Sequence, residues 1–212
     1  MVLTRARRRL LGIGVLLSVT AVALAVNRLS APSTSSTREG PRATPSMPSW
    51  VTTPTLQPCP AGAPAARAKL PAVTLDCLGS GPALALDHLP SRPHVINLWA
   101  SWCSPCRREA PRLAAAAAAT GGRVGFLGVD TQDERGSALD FLHHVGLDYP
   151  QLADPDAAVL HRLSAPGLPV TIAVDASGRI VYRRIGEISA AQLNAALHAA
   201  DPTLPSTSGG GS

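Results

Sequence analysis

The sequence predicts an α/β domain with a mixed central sheet and helices on both faces. Two apolar runs, VINLW at residues 95–99 and VGFLGVD at 124–130, have the composition of buried strands, and a helical pattern follows each of them. Two later runs, 170–175 and 180–185, are joined by Ala-Ser-Gly at 176–178, which predicts a hairpin. Alternating strands and helices followed by a hairpin imply one sheet that contains both parallel and antiparallel pairs.

Helical periodicity and turn residues place the other elements. Gly121-Gly122 ends the Ala-rich helix that follows the first buried strand, and Ser189 is the candidate N-cap of the last helix. The pattern predicts helices at 104–119, 134–145, 156–163 and 189–200, and short strands at 73–76, 83–86 and near 149–152.

The positive charge of the chain is confined to its N-terminal segment. The chain has 212 residues and a formal net charge of +5. Residues 1–42 contain seven Arg and one Glu, so this segment carries +6, and the remaining 12 basic and 13 acidic residues give −1. Because the rest of the chain has no basic run interleaved with aromatic residues, a nucleic-acid partner is not expected.

The N-terminal segment has the pattern of an export signal. Four arginines between positions 5 and 9 precede an uncharged stretch at 10–26. As an uncleaved signal anchor, residues 1–26 would hold the protein in the cell membrane by a single pass with an extracytoplasmic domain. Alternatively, Ala23-Leu24-Ala25 is the cleavage site of a signal peptide, and the protein is secreted after cleavage near Ala25. Both alternatives export the rest of the chain.

Three segments follow the export signal. Residues 27–58 are rich in Pro, Ser and Thr, a composition that buries little apolar surface, so we predict a linker that holds the domain away from the membrane. Residues 59–204 contain all the predicted strands and helices and form the predicted folded domain. Residues 205–212 contain STSGGGS and are predicted to be a disordered tail.

The motif Trp102-Cys103-Ser104-Pro105-Cys106 lies between the first buried strand and the following helix. Cys103 is therefore expected at the exposed helix N-terminus, where free N–H groups and the helix dipole favour thiolate over thiol. Cys106 is expected one turn further along the same side. Such a pair attacks a substrate disulfide through Cys103 and resolves the mixed disulfide through Cys106, so we predict a redox-active centre.

Zinc binding and a purely structural disulfide are the alternative interpretations of this motif. Zinc needs a second ligand pair of suitable spacing, and Cys59 and Cys77 do not form a second C-x-x-C. The histidines form no ligand cluster, and each is expected at the surface or in a loop; they are His88, His94, His143, His144, His161 and His198. The sequence therefore predicts no metal site and no cofactor.

The segment LWASWCSPCRREAP resembles the active-site segment of TlpA/ResA/CcmG-type membrane-tethered thioredoxins. The resemblance covers roughly residues 70–200 and includes Trp99, Trp102, the pattern C-x-x-C-x-x-E-x-P, and Gly167-Leu168-Pro169 before a strand. It implies a thioredoxin-like three-layer fold and a protein thiol–disulfide oxidoreductase. It also implies a cis peptide bond at Leu168-Pro169 that presents the backbone of Leu168 to the substrate, with Trp102 beside it.

Glu109 is the most informative residue outside the cysteines. Aligned on the cysteines, thioredoxin has a buried Asp where this chain has Asn97, and an amide cannot take up and release a proton in that way. Proteins similar to ResA have a Glu matching Glu109 near the cysteine pair. The resemblance thus implies that Glu109 relays a proton to and from Cys106, with a pKa raised by partial burial. The alternative is a first-turn glutamate favoured only by the helix dipole.

Cys59 and Cys77 lie outside the active-site motif. In an exported protein they most simply form a structural disulfide, because this is the one of three possible pairings that keeps Cys103 and Cys106 together. The alternative is that the pair exchanges electrons with Cys103–Cys106.

Three functions remain open from the sequence. The resemblance favours a reductase that acts on exported protein disulfides and thiols such as those of apocytochrome c, works as a monomer, and receives electrons from a membrane partner of CcdA/DsbD type. The second is a disulfide-forming oxidase of DsbA/DsbE type, since direction follows the reduction potential. The third is a copper-delivery module of Sco type, although that family uses C-x-x-x-C.

Overall fold

The computed structural model describes residues 55–64 and 68–205. Within them, seven strands form one sheet, and helices follow β3, β4, β5 and β7. The elements are β1 Thr74–Cys77, β2 Leu84–Ala85, β3 His94–Trp99, α1 Ser104–Ala119, β4 Gly125–Thr131, α2 Arg135–Val145, β5 Gln151–Asp154, α3 Ala158–Arg162, β6 Val170–Val174, β7 Ile180–Ile185 and α4 Ala190–Ala200.

The sheet is mixed, as the sequence predicts. Its strand order is β2-β1-β5-β4-β3-β6-β7. The central strands β3, β4 and β5 are parallel, whereas β6 pairs antiparallel with β3 and β7, and β1 pairs antiparallel with β2 and β5. The parallel strands place the ends of β3 and β4 at the same edge of the sheet, with Trp99 opposite Asp130. That edge is where the C-x-x-C motif follows β3.

Each face of the sheet packs into its own core. The strand β3 is buried along its length, and its side chains alternate between the faces because successive strand residues point in opposite directions. Val95 and Trp99 join the core formed with α1, α2 and α4. Ile96 and Leu98 join the opposite core, which contains α3 and the segment around β1 and β2. These two covered faces give the three-layer, thioredoxin-like arrangement.

Most elements lie within a few residues of their predicted positions. The predicted N-cap Ser189 caps α4, and its side chain and that of Gln192 form a capping box. The helix α3 is shorter than predicted because Ala157 has a left-handed backbone (φ 52°), and the Asp154 carboxylate accepts from Ala158 N and Val159 N at 2.8 and 3.0 Å. These side-chain bonds satisfy N–H groups of the first helical turn, which have no partner within the helix.

Two parts of the chain are placed differently from what the sequence predicts. His94 was expected at the surface or in a loop, but it begins β3 and is buried, so that expectation is wrong for this residue. Leu56 and Gln57 fall within the predicted linker, yet Gln57 N donates to Asp148 O at 2.6 Å and Leu56 packs beside Gly79. Backbone contacts with the domain therefore begin before Cys59.

The predicted export signal lies outside the residues that the structure describes. Residues 1–54, which include the predicted anchor or signal peptide and most of the predicted linker, are not among the described residues, nor are positions 206–212 of the predicted tail. Within 55–64 and 68–205, no helix combines the length and apolar character needed to cross a membrane.

Candidate active site

Cys103 and Cys106 are joined by a disulfide at the start of α1. Cys103 is the N-cap residue, and its Sγ accepts a hydrogen bond from Cys106 N at 3.3 Å. Pro105 occupies the first turn, where a helix has no need of its missing N–H. Because the Cys103 sulfur faces free backbone N–H groups, this position favours a thiolate once the disulfide opens.

The two sulfur-bearing residues are less accessible than the sequence suggested. Cys103 is 5% exposed and Cys106 is 2% exposed, whereas the adjacent Trp102 is 60% exposed. The neighbouring loop and the apolar core cover most of Cys103, and this burial is a tertiary effect that local sequence does not reveal. Of the two cysteines, Cys103 remains the more open to an incoming sulfur.

The segment before β6 packs against the same core as the cysteine pair. The peptide bond Leu168-Pro169 is cis. Leu168 is partly buried and packs against the core that contains Cys103 and Cys106. Pro169 O accepts from Gly186 N at 2.8 Å, which ties the cis-proline segment to the end of β7.

Glu109 is completely buried one helical turn after Cys106. Its Oε1 accepts from Asn97 Nδ2 and its Oε2 accepts from Ile188 N, both at 2.8 Å. Asn97 Nδ2 also donates to Thr171 Oγ1 at 3.3 Å. The carboxyl group is therefore held between β3 and the loop before α4, on the same helix side as Cys106.

Burial is the main influence on the protonation of Glu109. It raises the pKa of this carboxyl to about 7, although the hydrogen bonds from Ile188 and Asn97 act in the opposite direction. The charge of Glu187 raises the pKa further and that of Arg112 lowers it. Arg112 bonds both Glu187 Oε1 and Ile188 O, at 3.2 and 2.8 Å, so the loop that contacts Glu109 is itself fixed to α1. Such a carboxyl group exchanges a proton near neutral pH.

The turn after β4 also contacts the loop before Cys103, which the sequence analysis missed. The Asp133 carboxylate accepts from Ser101 N and, at 2.9 Å, from Ser101 Oγ. The indole Nε1 of Trp102 donates to Gln132 O at 2.9 Å. A sequence signal existed: the acidic stretch D-T-Q-D-E begins at the end of β4, which is parallel to β3, so the residues after β4 are expected to lie beside the residues that follow β3.

The second disulfide joins Cys59 to Cys77. Cys59 is buried in the core on the face opposite the one that contains Cys103 and Cys106, and Cys77 packs against the same core. Cys59 N donates to Ser80 O at 2.8 Å, next to Gly81, whose φ of 113° and close approach to Cys59 exclude a larger residue. This bridge attaches the segment before β1 to the end of β1.

The described residues contain no group of three or more His, Cys, Asp or Glu side chains arranged to hold a metal ion.

A three-layer α/β fold with a C-x-x-C disulfide at a helix N-terminus, and with a cis-proline directly before the strand β6 that pairs with β3, defines the class of thioredoxin-like thiol–disulfide oxidoreductases. Comparison with known proteins agrees with this class. The chain belongs to the Redoxin family, whose profile matches residues 65–197.

Named relatives share about half of the chain. The DsbE homolog of Paracoccus denitrificans, a thiol:disulfide interchange protein, is 39% identical over 105 residues, which are 48% of this chain and 56% of that protein. The thiol:disulfide interchange protein HelX of Rhodobacter capsulatus is 35% identical over 121 residues, 56% of this chain and 67% of HelX. The chain thus aligns with between about half and two thirds of the length of these relatives.

Solved structures show the same fold over the described domain. MTB dsbF, in its mixed oxidized and reduced forms, is 27% identical with a TM-score of 0.55, and the match covers 62% of this chain and 98% of dsbF. A secreted Mycobacterium tuberculosis disulfide oxidoreductase homologous to E. coli DsbE is also 27% identical, with a TM-score of 0.53 and coverage of 60% and 96%. The chain is similar to nearly all of each of these two domains.

Proposed function

We propose that this protein is an exported thiol–disulfide oxidoreductase in which Cys103 is the nucleophile and Cys106 the resolving thiol. The observation that carries the proposal is the position of Cys103 as the α1 N-cap, with its Sγ accepting from Cys106 N. The slightly greater exposure of Cys103 supports its assignment as the attacking residue.

In the reducing direction, the Cys103 thiolate attacks one sulfur of a substrate disulfide. A mixed disulfide forms, and the other substrate sulfur leaves as a thiolate that takes up a proton. Cys106 then loses its proton to Glu109 and attacks Cys103 Sγ, which closes the protein disulfide and releases the second substrate thiol. Two electrons pass to the substrate in each cycle. The oxidising direction is the reverse of these steps.

The substrate is expected to lie against Trp102 and the Leu168 backbone. Among the described residues, Trp102 and Ile185 are the exposed large apolar side chains, and Trp102 is the more exposed of the two. The indole Nε1 of Trp102 donates to Gln132 O. The cis bond before Pro169 lies directly ahead of β6, whose first residue, Val170, pairs with Leu98 near the end of β3. An extended peptide beside the disulfide can pair with that backbone whatever its side chains are.

We further propose that the protein acts as a reductase of exported protein disulfides, with apocytochrome c thiols as the product. The thiol:disulfide interchange relatives and the TlpA/ResA/CcmG-like active-site segment support this role. A monomer would be attached to the membrane through residues 1–26 and receive electrons from a membrane protein of CcdA/DsbD type. Cys59–Cys77 then serves as a structural bridge.

Disulfide formation is the second candidate function. It is favoured by the similarity to a secreted disulfide oxidoreductase, 96% of which the match covers. The chemistry at Cys103 and Cys106 is the same in both functions, and only the reduction potential and the electron partner differ.

The reduction potential of Cys103–Cys106 separates these functions. The full chain in detergent is equilibrated with glutathione or dithiothreitol, and the redox state is followed by Trp fluorescence, because Trp102 adjoins the disulfide. A Cys59→Ala/Cys77→Ala variant isolates the active-site pair. A potential of about −250 mV or lower supports the reductase, whereas about −120 to −180 mV favours the oxidase. Exchange that persists in Cys103→Ala would contradict the nucleophile assignment.

A further inference from the structure

Residues 130–134, which are the end of β4 and the turn after it and are here called the β4 turn, hold the loop that leads into the C-x-x-C motif. Asp133 accepts two hydrogen bonds from Ser101, and Gln132 O accepts one from the Trp102 indole. These two loop residues immediately precede Cys103. The catalytic steps proposed above assign nothing to the β4 turn, although it supplies most of the side-chain bonds that fix the approach to Cys103.

Asp130 is the residue of the β4 turn whose environment needs an explanation. Its side chain is 4% exposed, and its Oδ1 has no hydrogen-bond partner in the described part of the chain. Its register neighbours, Trp99 on β3 and Ala153 on β5, carry no charge. A buried carboxylate without a partner costs several kcal/mol, so the group is expected to be neutral or to share a proton.

The carboxyl group of Asp133, three residues further along the chain, is the partner available to Asp130, and, after burial, a side-chain hydrogen bond with Asp133 is one of the causes that raise the pKa of Asp130. Asp133 accepts from three donors, Ser101 N, Ser101 Oγ and Glu134 N, so its oxygens already serve as acceptors. Asp130 has no such donors at Oδ1. A proton held by Asp130 therefore gives the pair one O–H donor and one carboxylate acceptor.

Building on the proposed function, we propose that Asp130 is a positioning residue for thiol–disulfide exchange. Its carboxyl O–H donates to Asp133, which holds Ser101 and so fixes the backbone that carries Trp102 and Cys103. Asp130 acts through Asp133 and touches neither the sulfurs nor the substrate. The arrangement keeps the exposed Trp102 and the cysteine pair in one geometry as long as the proton stays in place.

The hydrogen bond from Asp130 to Asp133 is expected to be lost in alkaline solution. Burial, with the charge of Asp133 as the second cause, raises the pKa of Asp130 to about 8. Loss of the proton would place two negative carboxylates side by side. The other charged groups at this edge are already engaged, because Asp154 accepts from Ala158 N and Val159 N, and Arg107 donates to Ser101 O at 3.1 Å. Within the described residues, no ion pair to Asp130 or Asp133 offsets the repulsion between the two carboxylates.

The test follows the indole N–H resonance of Trp102 in the oxidised, ¹⁵N-labelled full chain from about pH 6 to about pH 10. The resonance is assigned by its loss in Trp102→Phe. We expect a transition with a midpoint near pH 8. Asp130→Asn should abolish the transition, because its amide donates to Asp133 at every pH. Asp140→Asn removes an exposed charge from α2 and should behave like the unchanged protein.

Asp133→Asn provides a second test that does not depend on the folding of Asp130→Asn. Without the neighbouring negative charge, the midpoint should move to lower pH. A midpoint that stays near pH 8 in Asp130→Asn, or an unchanged chain with no transition, overturns the proposal. Because the oxidised protein is observed, these outcomes do not depend on exchange activity and are distinguishable from a failure of the proposed function.

A kinetic measurement tests whether the Asp130–Asp133 hydrogen bond affects thiol–disulfide exchange. The rate at which dithiothreitol opens Cys103–Cys106 is measured at neutral and at alkaline pH for each variant. Each rate is divided by the rate for Asp140→Asn at the same pH, because this ratio cancels the effect of the ionisation of dithiothreitol. Between neutral and alkaline pH, the normalised rate for the unchanged protein should fall several-fold relative to that for Asp130→Asn. Equal ratios at both pH values would show that the β4 turn does not position the cysteines.

Discussion

Glu109 and Asn97 form a buried hydrogen-bonded pair, one helical turn from Cys106. The carboxyl group is on α1, and the amide that binds it is on β3. The pKa of Glu109 is raised to about 7 chiefly by burial, so near neutral pH the group both accepts and donates. A surface glutamate in the first turn of a helix would remain ionised there and could only accept.

Replacing Glu109 with Gln should alter the pH profile of exchange. The amide neither takes up nor releases a proton, so the transition near pH 7 should disappear, and turnover above it should fall roughly 10²-fold, as for other lost general bases. The measurement is the rate of reduction of a fluorescent disulfide substrate from about pH 5 to about pH 9.

The matched control is Glu134→Gln, which changes an exposed carboxylate that accepts from Gly136 N at the start of α2. This variant should keep the pH profile of the unchanged protein. If Glu109→Gln also keeps that profile while folding normally, Glu109 has a structural role only.

At the scale of elements, the pairing of β4 with β5 depends on a glycine. The Gln151 side chain is fully buried, where Oε1 accepts from Trp99 Nε1 at 2.9 Å and Nε2 donates to Tyr149 O at 3.2 Å. The amide lies directly over Gly128, and a Cβ added there would be 1.7 Å from Gln151 Oε1. The absent side chain therefore makes room for the hydrogen bond that orients Trp99.

Gly128→Ala should destabilise the domain by about 1–3 kcal/mol or more, since the new methyl group must displace a bonded, buried amide. Urea unfolding of the oxidised protein measures the change. Gly136→Ala is the control, because a Cβ there meets only the flexible Glu134 carboxylate at 3.0 Å and alanine favours the helix. Equal stability of the two variants would show that Gln151 moves aside without cost.

The disulfide between Cys59 and Cys77 acts on a different element from the active-site pair. Its sequence separation of 18 residues predicts a stabilisation of about 3 kcal/mol from chain entropy. Cys59→Ala/Cys77→Ala should lose about that much unfolding free energy while keeping disulfide exchange, and Cys103→Ala/Cys106→Ala should lose exchange. Impaired exchange in a folded Cys59→Ala/Cys77→Ala variant would instead indicate electron transfer between the pairs.

For the molecule as a whole, buried titratable groups make stability depend on pH. A group whose folded pKa is raised adds stability below its unfolded pKa, and that stability is lost as pH rises through the folded value. Burial raises the pKa of Glu109 to about 7 and that of Asp130 to about 8. Burial also lowers the pKa of His94 to about 4, so its contribution is complete above about pH 6.5 and is lost toward pH 4.

The unfolding free energy of the oxidised protein should therefore fall by roughly 2 kcal/mol between about pH 6.5 and about pH 8, where the two carboxyl groups act without opposition from His94. Urea denaturation at both pH values measures the difference. Asp130→Asn should remove most of the fall, whereas Asp140→Asn should retain it. A stability that rises over this interval would contradict the assigned protonation of both carboxyl groups.

The local pattern of the chain was sufficient for the order of elements and for the position of the C-x-x-C motif. Buried strands such as β3 and β4 carry continuous apolar residues, and α1 is bounded by its N-cap and by Gly121, so the information lies within a few neighbouring residues. The Glu109 hypothesis needed the resemblance as well, because a glutamate in the second turn of a helix such as α1 is compatible with an exposed position.

Tertiary packing decided what depends on residues far apart in sequence. The burial of His94 and Cys103, the contact of Gln151 with Gly128, and the bonds of the β4 turn to Ser101 all join different elements. Desolvation and pKa depend on which groups surround a side chain in space, so they cannot be obtained from its sequence neighbours. The sequence thus predicted which cysteines react, and the three-dimensional fold determined the polar and apolar environment of that pair.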